Sequence, residues 1–104
     1  SCIFALQISG VAPPFPRTFT ESTIAEDQSA SVSVAPNGAN GDIWHALVNR
    51  PLYADEGTFS LVIDSVTTDP LYGQQDLHGT LDATLVANSK TEATGMVSVH
   101  VEMP

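Results

Sequence analysis

The sequence predicts an all-β protein: a single antiparallel β-sandwich of about seven strands over residues 1–104, with barrel-like closure as the alternative. Alternating apolar and polar residues recur along the chain, and in a strand this pattern places one face in a core and the other in water. Turn-forming residues separate these runs every 8–15 residues or so, which is typical of sandwiches and barrels. No segment has convincing helical spacing, apart from one short alternative described below.

The first part of the chain contains three predicted strands. Residues 2–9 alternate and form the first. Residues 11–17 contain three prolines, which lack the N–H that a sheet requires, so we expect an extended connector or edge segment there. Residues 18–24 alternate weakly and predict a short strand, and residues 29–35 predict another. Two Asn-Gly pairs within residues 36–41 favour positive φ and predict a tight turn.

The remaining strands are more apolar. Residues 42–49 are apolar on both sides, as expected of a central strand or of a strand beside an interface, with a short helix as the alternative. Residues 58–67 alternate strongly, and residues 77–86 and 94–103 predict a closing hairpin with one apolar face. The predicted inward residues of the 58–67 strand are Phe59, Leu61 and Ile63.

The charge balance limits the classes of partner. The chain contains twelve acidic residues and only three basic ones, Arg17, Arg50 and Lys90, which gives a net charge of −9 at pH 7. Nucleic acids require clustered Lys and Arg, so no nucleic acid is expected as a partner, and anionic lipid is equally disfavoured. The negative surface favours solubility, or else a calcium-dependent setting, a salt-rich setting or a cationic partner. No run of 18 apolar residues exists, so no transmembrane segment is predicted.

Cys2 is the only cysteine, so no disulfide can form within the chain. Three alternatives are open for its thiol. It is buried at the start of the first strand, it carries the lipid anchor of a bacterial lipoprotein, or it bridges two chains through a disulfide. The last two alternatives place the protein outside the cytoplasm, in the extracellular space or the cell envelope.

The outward face of the closing hairpin is a candidate metal site. If opposed residue numbers sum to about 180, His78 lies opposite Glu102, Asp82 lies opposite Ser98, and His78 and His100 are diagonal neighbours. A one-step shift in the pairing, from one same-face partner to the next, would bring the two histidines directly opposite. His78, His100, Asp82 and Glu102 have the ligand types that zinc or another divalent ion requires. The alternative is a solvated face with a cross-strand His–Glu pair.

Aromatic residues supply two further candidates for ligand binding. Trp44 is either a core anchor with a hydrogen-bonded indole N–H or a stacking platform for a sugar. If it is a core anchor, His45 projects to the opposite face and is partly buried. Tyr53 and Tyr72 lie in loops near Asp55-Glu56, a combination suited to carbohydrate or calcium, although the spacing matches no calcium loop. The alternative is a solvated loop.

The sequence lacks the motifs of the common enzyme classes. It contains no Gly-x-Ser-x-Gly, no phosphate-binding glycine loop and no His-Glu-x-x-His, and a cysteine at position 2 is a poor place for a preorganised nucleophile. We therefore expect a protein that is not an enzyme and that uses no cofactor.

Residues 77–103 carry a resemblance to a known group. A His-Gly-Thr-x-x-Ala-Thr-Leu strand is followed by a Thr-Gly-x-Val-x-Val strand. This resembles the closing hairpin of small β domains in predicted bacterial secreted proteins and lipoproteins, and it covers about a quarter of the chain. Cys2 is similar to the lipid-attachment cysteine of such lipoproteins. The resemblance implies a secreted or anchored β domain and implies no activity.

Together these patterns predict a non-enzymatic extracellular or surface-attached structural or interaction domain, whose partner is another protein or a second copy. A sharper hypothesis is a self-assembling envelope or filament subunit, because an exposed strand edge accepts a strand from the next copy. The charge of −9 opposes self-assembly unless ions screen it. The alternative function is a carbohydrate- or metal-binding module that uses Trp44 or the His78/His100 face.

Overall fold

The computed structural model describes residues 2–38, 41–50 and 53–104, which contain seven strands and no helix. The prediction of an all-β fold is confirmed. The strands are β1 (Ile3–Ile8), β2 (Arg17–Thr20), β3 (Ala30–Ala35), β4 (Trp44–Val48), β5 (Thr58–Thr68), β6 (Gln75–Ala87) and β7 (Met96–Met103). The described residues include no helix of the length and apolarity needed to cross a membrane.

All strand pairs are antiparallel, in the order β1-β3-β4-β6-β5-β2, and β7 pairs with β6. The long strand β6 joins the two parts of this sheet. It pairs with β5 over residues 75–84, with β4 at Val86 and Ala87, and with β7 over residues 79–86. Among the described residues β1 and β2 do not pair with each other, so the alternative of barrel-like closure is wrong.

One hydrophobic cluster draws its side chains from both parts of the sheet, so β3–β4 and β2–β5–β6 pack face to face in the predicted sandwich arrangement. The three predicted inward residues of β5 are all buried. Each fully buried Leu or Phe side chain contributes roughly 1.5–3 kcal/mol of transfer free energy. The cluster consists of Phe19, Ala30, Val32, Ala46, Val48, Phe59, Leu61, Ile63, Leu81, Ala83 and Leu85.

A register shift interrupts the β5–β6 pairing between Ile63 and Ser65. Gly79, opposite Ile63, lies so close to β5 that a Cβ atom there would be 1.8 Å from the carbonyl oxygen of Val62. Only glycine allows the two backbones to approach this closely. The exposed Asp64 is the residue left over at the bulge.

The predicted 42–49 strand is confirmed as β4, and its helical alternative is wrong. β4 pairs with β3 over its whole length, because Val32 and Val34 face apolar residues of β4 across the ladder. The turn that precedes β4 contains Gly38 at φ 94°, as predicted. Asn40, the second predicted turn residue, lies outside the described residues.

The β6–β7 register differs from the prediction by two residues. Opposed residue numbers sum to 182, so Thr80 faces Glu102, Asp82 faces His100 and Thr84 faces Ser98. The loop fixes this register, because the N–H of Ala87 donates to the carbonyl of Gly95. Since side chains alternate with period two, a shift of two keeps every residue on its predicted face and changes only its partner.

Candidate functional site

Three strands, β1, β2 and β7, have one partner each among the described residues and therefore form edges of the sheet. Natural proteins protect such edges with short strands, charges, prolines or bulges. β2 has four residues, begins at Arg17 and follows Pro16. β7 carries His100 and Glu102 and is followed by Pro104. β1, with the sequence IFALQI, has none of these protections.

The surface beside β1 is apolar and grooved. Ile3 and Phe4 are 44% and 41% exposed, whereas Leu6 and Ile8 pack against the core cluster. Next to the free edge runs a groove of about 310 Å³, which we call the β1 groove. An added strand would gain main-chain hydrogen bonds from the edge and side-chain pockets from such a groove. The lining residues are Leu6, Gln7, Ile8, Val11, Gln75 and Leu77.

The β1 edge also lies in the uncharged part of the chain. No charged residue occurs from Cys2 to Pro16 or from Gln28 to Gly41, and these segments contain both β1 and its neighbour β3. The rest of the chain carries the net charge of −9. Neither β1 nor its neighbour β3 therefore presents a charged side chain to a second acidic molecule at this edge.

Cys2 is exposed and directly precedes β1. The alternative in which its thiol is buried at the start of the first strand is therefore wrong. The ladder between β1 and β3 begins one residue later, at the pair Ile3 and Ala35, so nothing in that ladder covers Cys2. Lipid attachment and an intermolecular disulfide through Cys2 stay predictions.

His100 forms a cross-strand ion pair on the outer face of the hairpin. Its Nδ1 donates to Asp82 Oδ1 at 2.6 Å, and its Nε2 lies 3.6 Å from Glu102 Oε1. The hydrogen bond and charge of Asp82, followed by the weaker effect of Glu102, raise the pKa of His100 above its usual value of 6.5. The cross-strand pair on this exposed face therefore joins His100 to Asp82, and not His78 to Glu102 as the predicted register would require.

His78 is separated from that group. Its Nε2 lies 2.9 Å from the hydroxyl of Thr67 on β5, and its Nδ1 lies 3.0 Å from the carbonyl oxygen of Pro104. The predicted diagonal contact with His100 is wrong, because the register places Asp82 opposite His100. Within residues 2–38, 41–50 and 53–104, no three His, Cys, Asp or Glu side chains are grouped so as to hold a metal ion.

The ladder register creates a polar row that sequence reasoning missed. Thr20, Ser60, Asp82 and His100 lie side by side on four neighbouring strands. They line a shallow groove of about 640 Å³ to which Glu21 also contributes. Ser60 and His100 lie on opposite sides of Asp82, so the row does not pair a serine hydroxyl with an imidazole. Alternation places each residue on this face, but only the register reveals that they are adjacent.

Trp44 packs against the core cluster, and its indole Nε1–H donates to the carbonyl of Thr94 at 3.1 Å. These contacts are those of the predicted core anchor. His45 projects to the other face of β4, as expected, and is buried there. Its Nε2 donates to Glu56 Oε1 at 2.5 Å, so this ring nitrogen has a partner despite the burial of the side chain.

Tyr53 and Tyr72 do not share a site. They lie beyond opposite ends of β5, whose eleven residues span roughly 35 Å. Lys90 Nζ lies 5.1 Å from the Tyr53 ring, whereas Tyr72 is 83% exposed in the β5–β6 loop. In the loop before β5, Asp55 accepts the backbone N–H of Asn49 at 2.8 Å. The neighbouring Glu56 accepts from the buried His45.

The resemblance of the closing hairpin to small bacterial β domains stays a prediction. In comparisons with protein-family models, with curated proteins and with solved structures, the chain has no match.

Proposed function

We propose that this protein is a non-enzymatic structural or interaction domain that associates with further copies of itself through the free edge of β1. The observation that carries the proposal is the contrast between the three sheet edges. β2 and β7 carry charged or titratable side chains and are flanked by Pro16 and Pro104, features that oppose strand addition, whereas β1 carries no charge and has no proline beside it.

The partner that fits this edge best is β1 of a second copy. Two copies of β1 related by a two-fold axis run antiparallel, so each supplies backbone N–H and C=O groups to the other. In β1 of the second copy, every other side chain would point toward the hydrophobic core and would contact the β1 groove of the first copy. Because β1 and β3 are uncharged, this arrangement keeps the acidic residues of the two molecules away from the contact.

The expected association is weak and salt-dependent. A pair of six-residue strands buries much less than the roughly 1,200 Å² of a standard stable interface. The net charge of −9 on each copy adds repulsion, which salt screens over a Debye length of about 8 Å at physiological ionic strength. Association should therefore strengthen with protein concentration and with added salt.

Light scattering across a range of protein and salt concentrations tests this proposal, with reductant present so that Cys2 cannot cross-link. The test variant is Ile3→Lys, which adds a charge to the β1 edge at a half-exposed position. The matched control is Leu71→Lys, which adds the same charge at a side chain that is 83% exposed in the β5–β6 loop. Circular dichroism verifies that both variants are folded.

We expect the wild-type protein and Leu71→Lys to associate and Ile3→Lys to be monomeric. A wild-type protein that is monomeric at every concentration and salt level would overturn the proposal. Equal association of Ile3→Lys and wild type would also overturn it, because another surface would then be responsible.

An extracellular or cell-envelope location belongs to the same proposal. Its support is the exposed Cys2 beside β1, where a lipid anchor or an intermolecular disulfide would be accessible. Intact-mass spectrometry of the natively produced protein separates these two modifications. An added acyl mass indicates anchoring, a mass that halves with reductant indicates a disulfide-linked pair, and an unmodified thiol removes this support.

A further inference from the structure

A small polar pocket of about 200 Å³ lies on the outer face of β3 and β4. We call it the Arg50 pocket. Its floor follows from the ladder, in which Ser33 faces His45 and Ser31 faces Leu47. Arg50 and Tyr53, which follow β4, and Asn88, which follows β6, complete the lining. The lining residues are Ser31, Ser33, His45, Leu47, Arg50, Tyr53 and Asn88.

The residues that line this pocket differ in charge from the chain as a whole. The protein has twelve acidic residues, yet none lines the pocket, whereas one of its three Lys and Arg residues does. A second cationic side chain is close to the lining, since Lys90 Nζ lies 5.1 Å from the ring of Tyr53. The larger groove on the β2–β5–β6–β7 face, by contrast, is lined by Glu21 and Asp82.

Among the described residues, His45 already donates to Glu56, whereas three other side chains of the pocket have no hydrogen-bond partner. There the guanidinium of Arg50 makes no ion pair or hydrogen bond, and the hydroxyls of Ser31 and Ser33 make none either. The carboxylates nearest in sequence have other partners. Asp55 accepts the Asn49 N–H, and Glu56 accepts from His45.

We infer that the Arg50 pocket binds a small organic carboxylate. The planar guanidinium matches a carboxylate in a bidentate geometry, and the hydroxyls of Ser31 and Ser33, which line the same pocket, are further hydrogen-bond donors. Leu47 and the Tyr53 ring offer apolar contact to the rest of the ligand. The volume is below the roughly 300 Å³ at which sites for drug-sized ligands begin, so the ligand must be small. A monoanion also suits a single guanidinium on an acidic protein better than a dianion.

An NMR titration of ¹⁵N-labelled protein with sodium acetate tests this inference. Sodium chloride at equal ionic strength reports non-specific salt effects, and sodium phosphate reports whether the pocket prefers another oxyanion. The test variant is Arg50→Gln. The matched control, Arg17→Gln, removes the same charge from β2, where Arg17 lies over the ring of Phe19. Ser33→Ala is a second test variant that leaves the charge unchanged.

Acetate should produce saturable shifts at the amides of Ser31, Ser33 and His45 in the wild type and in Arg17→Gln. Arg50→Gln should weaken acetate binding about tenfold or more, because it removes a charge-assisted bidentate contact. Ser33→Ala should weaken binding by a smaller factor.

Three results would overturn the inference. The first is a set of shifts that rise linearly with acetate or that chloride reproduces. The second is an unchanged affinity in both Arg50→Gln and Ser33→Ala. The third is tighter binding of phosphate than of acetate, which would assign the pocket to a different anion. Because the pocket does not include the β1 groove, Ile3→Lys should bind acetate as the wild type does, which separates this test from that of self-association.

Discussion

Replacing Gly79 by alanine should cost more stability than any other change of one methyl group in the sheet. The added Cβ would lie 1.8 Å from Val62 O, and contacts under 3.0 Å are essentially never seen, so β5 and β6 would have to separate by about 1.2 Å. That separation would disturb the ladder beside Ile63, whose side chain is fully buried. Overpacking of this kind costs about 3 kcal/mol or more. A domain of this length has roughly 5–15 kcal/mol of stability in total.

Urea denaturation followed by tryptophan fluorescence measures this loss in the free energy of unfolding. Gly73→Ala is the control: Gly73 has a φ of 67° and nothing within 4 Å of an added Cβ, so only backbone strain of about 1 kcal/mol is expected. A loss below about 1 kcal/mol for Gly79→Ala would refute the close approach of the two strands described here.

Three further predictions follow from the core, the hairpin face and the β1 edge. Leu81→Ala removes a side chain with no exposed surface and should lower the free energy of unfolding by about 3 kcal/mol or more in the same urea assay, whereas Thr80→Ala beside it should cost much less. Asp82→Asn should lower the pKa of His100 toward 6.5, as read by NMR titration; an unchanged pKa would contradict their pairing. Cys2 should react with a maleimide in the native protein as fast as in urea, and slow native labelling would contradict its exposure.

The His100 pairing also has a defined pH dependence. Its pKa is raised in the folded state, so the paired form stabilises the protein fully below about pH 6.5, the value expected when unfolded. That contribution is lost as the pH rises through the higher folded pKa. Because Asp82→Asn removes the main cause of the shift, stability in this variant should depend less on pH across that window.

Local pattern was sufficient to predict most of the strands. Alternation over residues 58–67 identified β5 and its inward residues, because a half-buried strand imposes a period of two on its own sequence. β4 was predicted from its apolar residues on both sides, and the structure shows why: one face meets the core, and the other carries buried His45.

The relations between strands could not be predicted in the same way. The register of β6 and β7 depends on which loop residues close the turn, and an error of two residues changes every partner while leaving every face correct. The free edge of β1 depends on the order of strands in the sheet, and the Arg50 pocket depends on where Arg50, Tyr53 and Asn88 lie against β3 and β4. The alternation of apolar and polar residues within a single strand carries no information about the register, the strand order or the pocket.

The position of β6 has a consequence for how the protein loses its structure. This strand is hydrogen-bonded to three others and reaches both parts of the sheet, so neither part can open far without breaking bonds to it. Unfolding should therefore occur in one cooperative transition rather than layer by layer. In native-state hydrogen exchange, the amides of β6 that face β5 and β7 should exchange only through global opening, whereas those of β1 should exchange through local fraying. If β1 is the contact between copies, association would protect the part of the sheet that is otherwise the first to open.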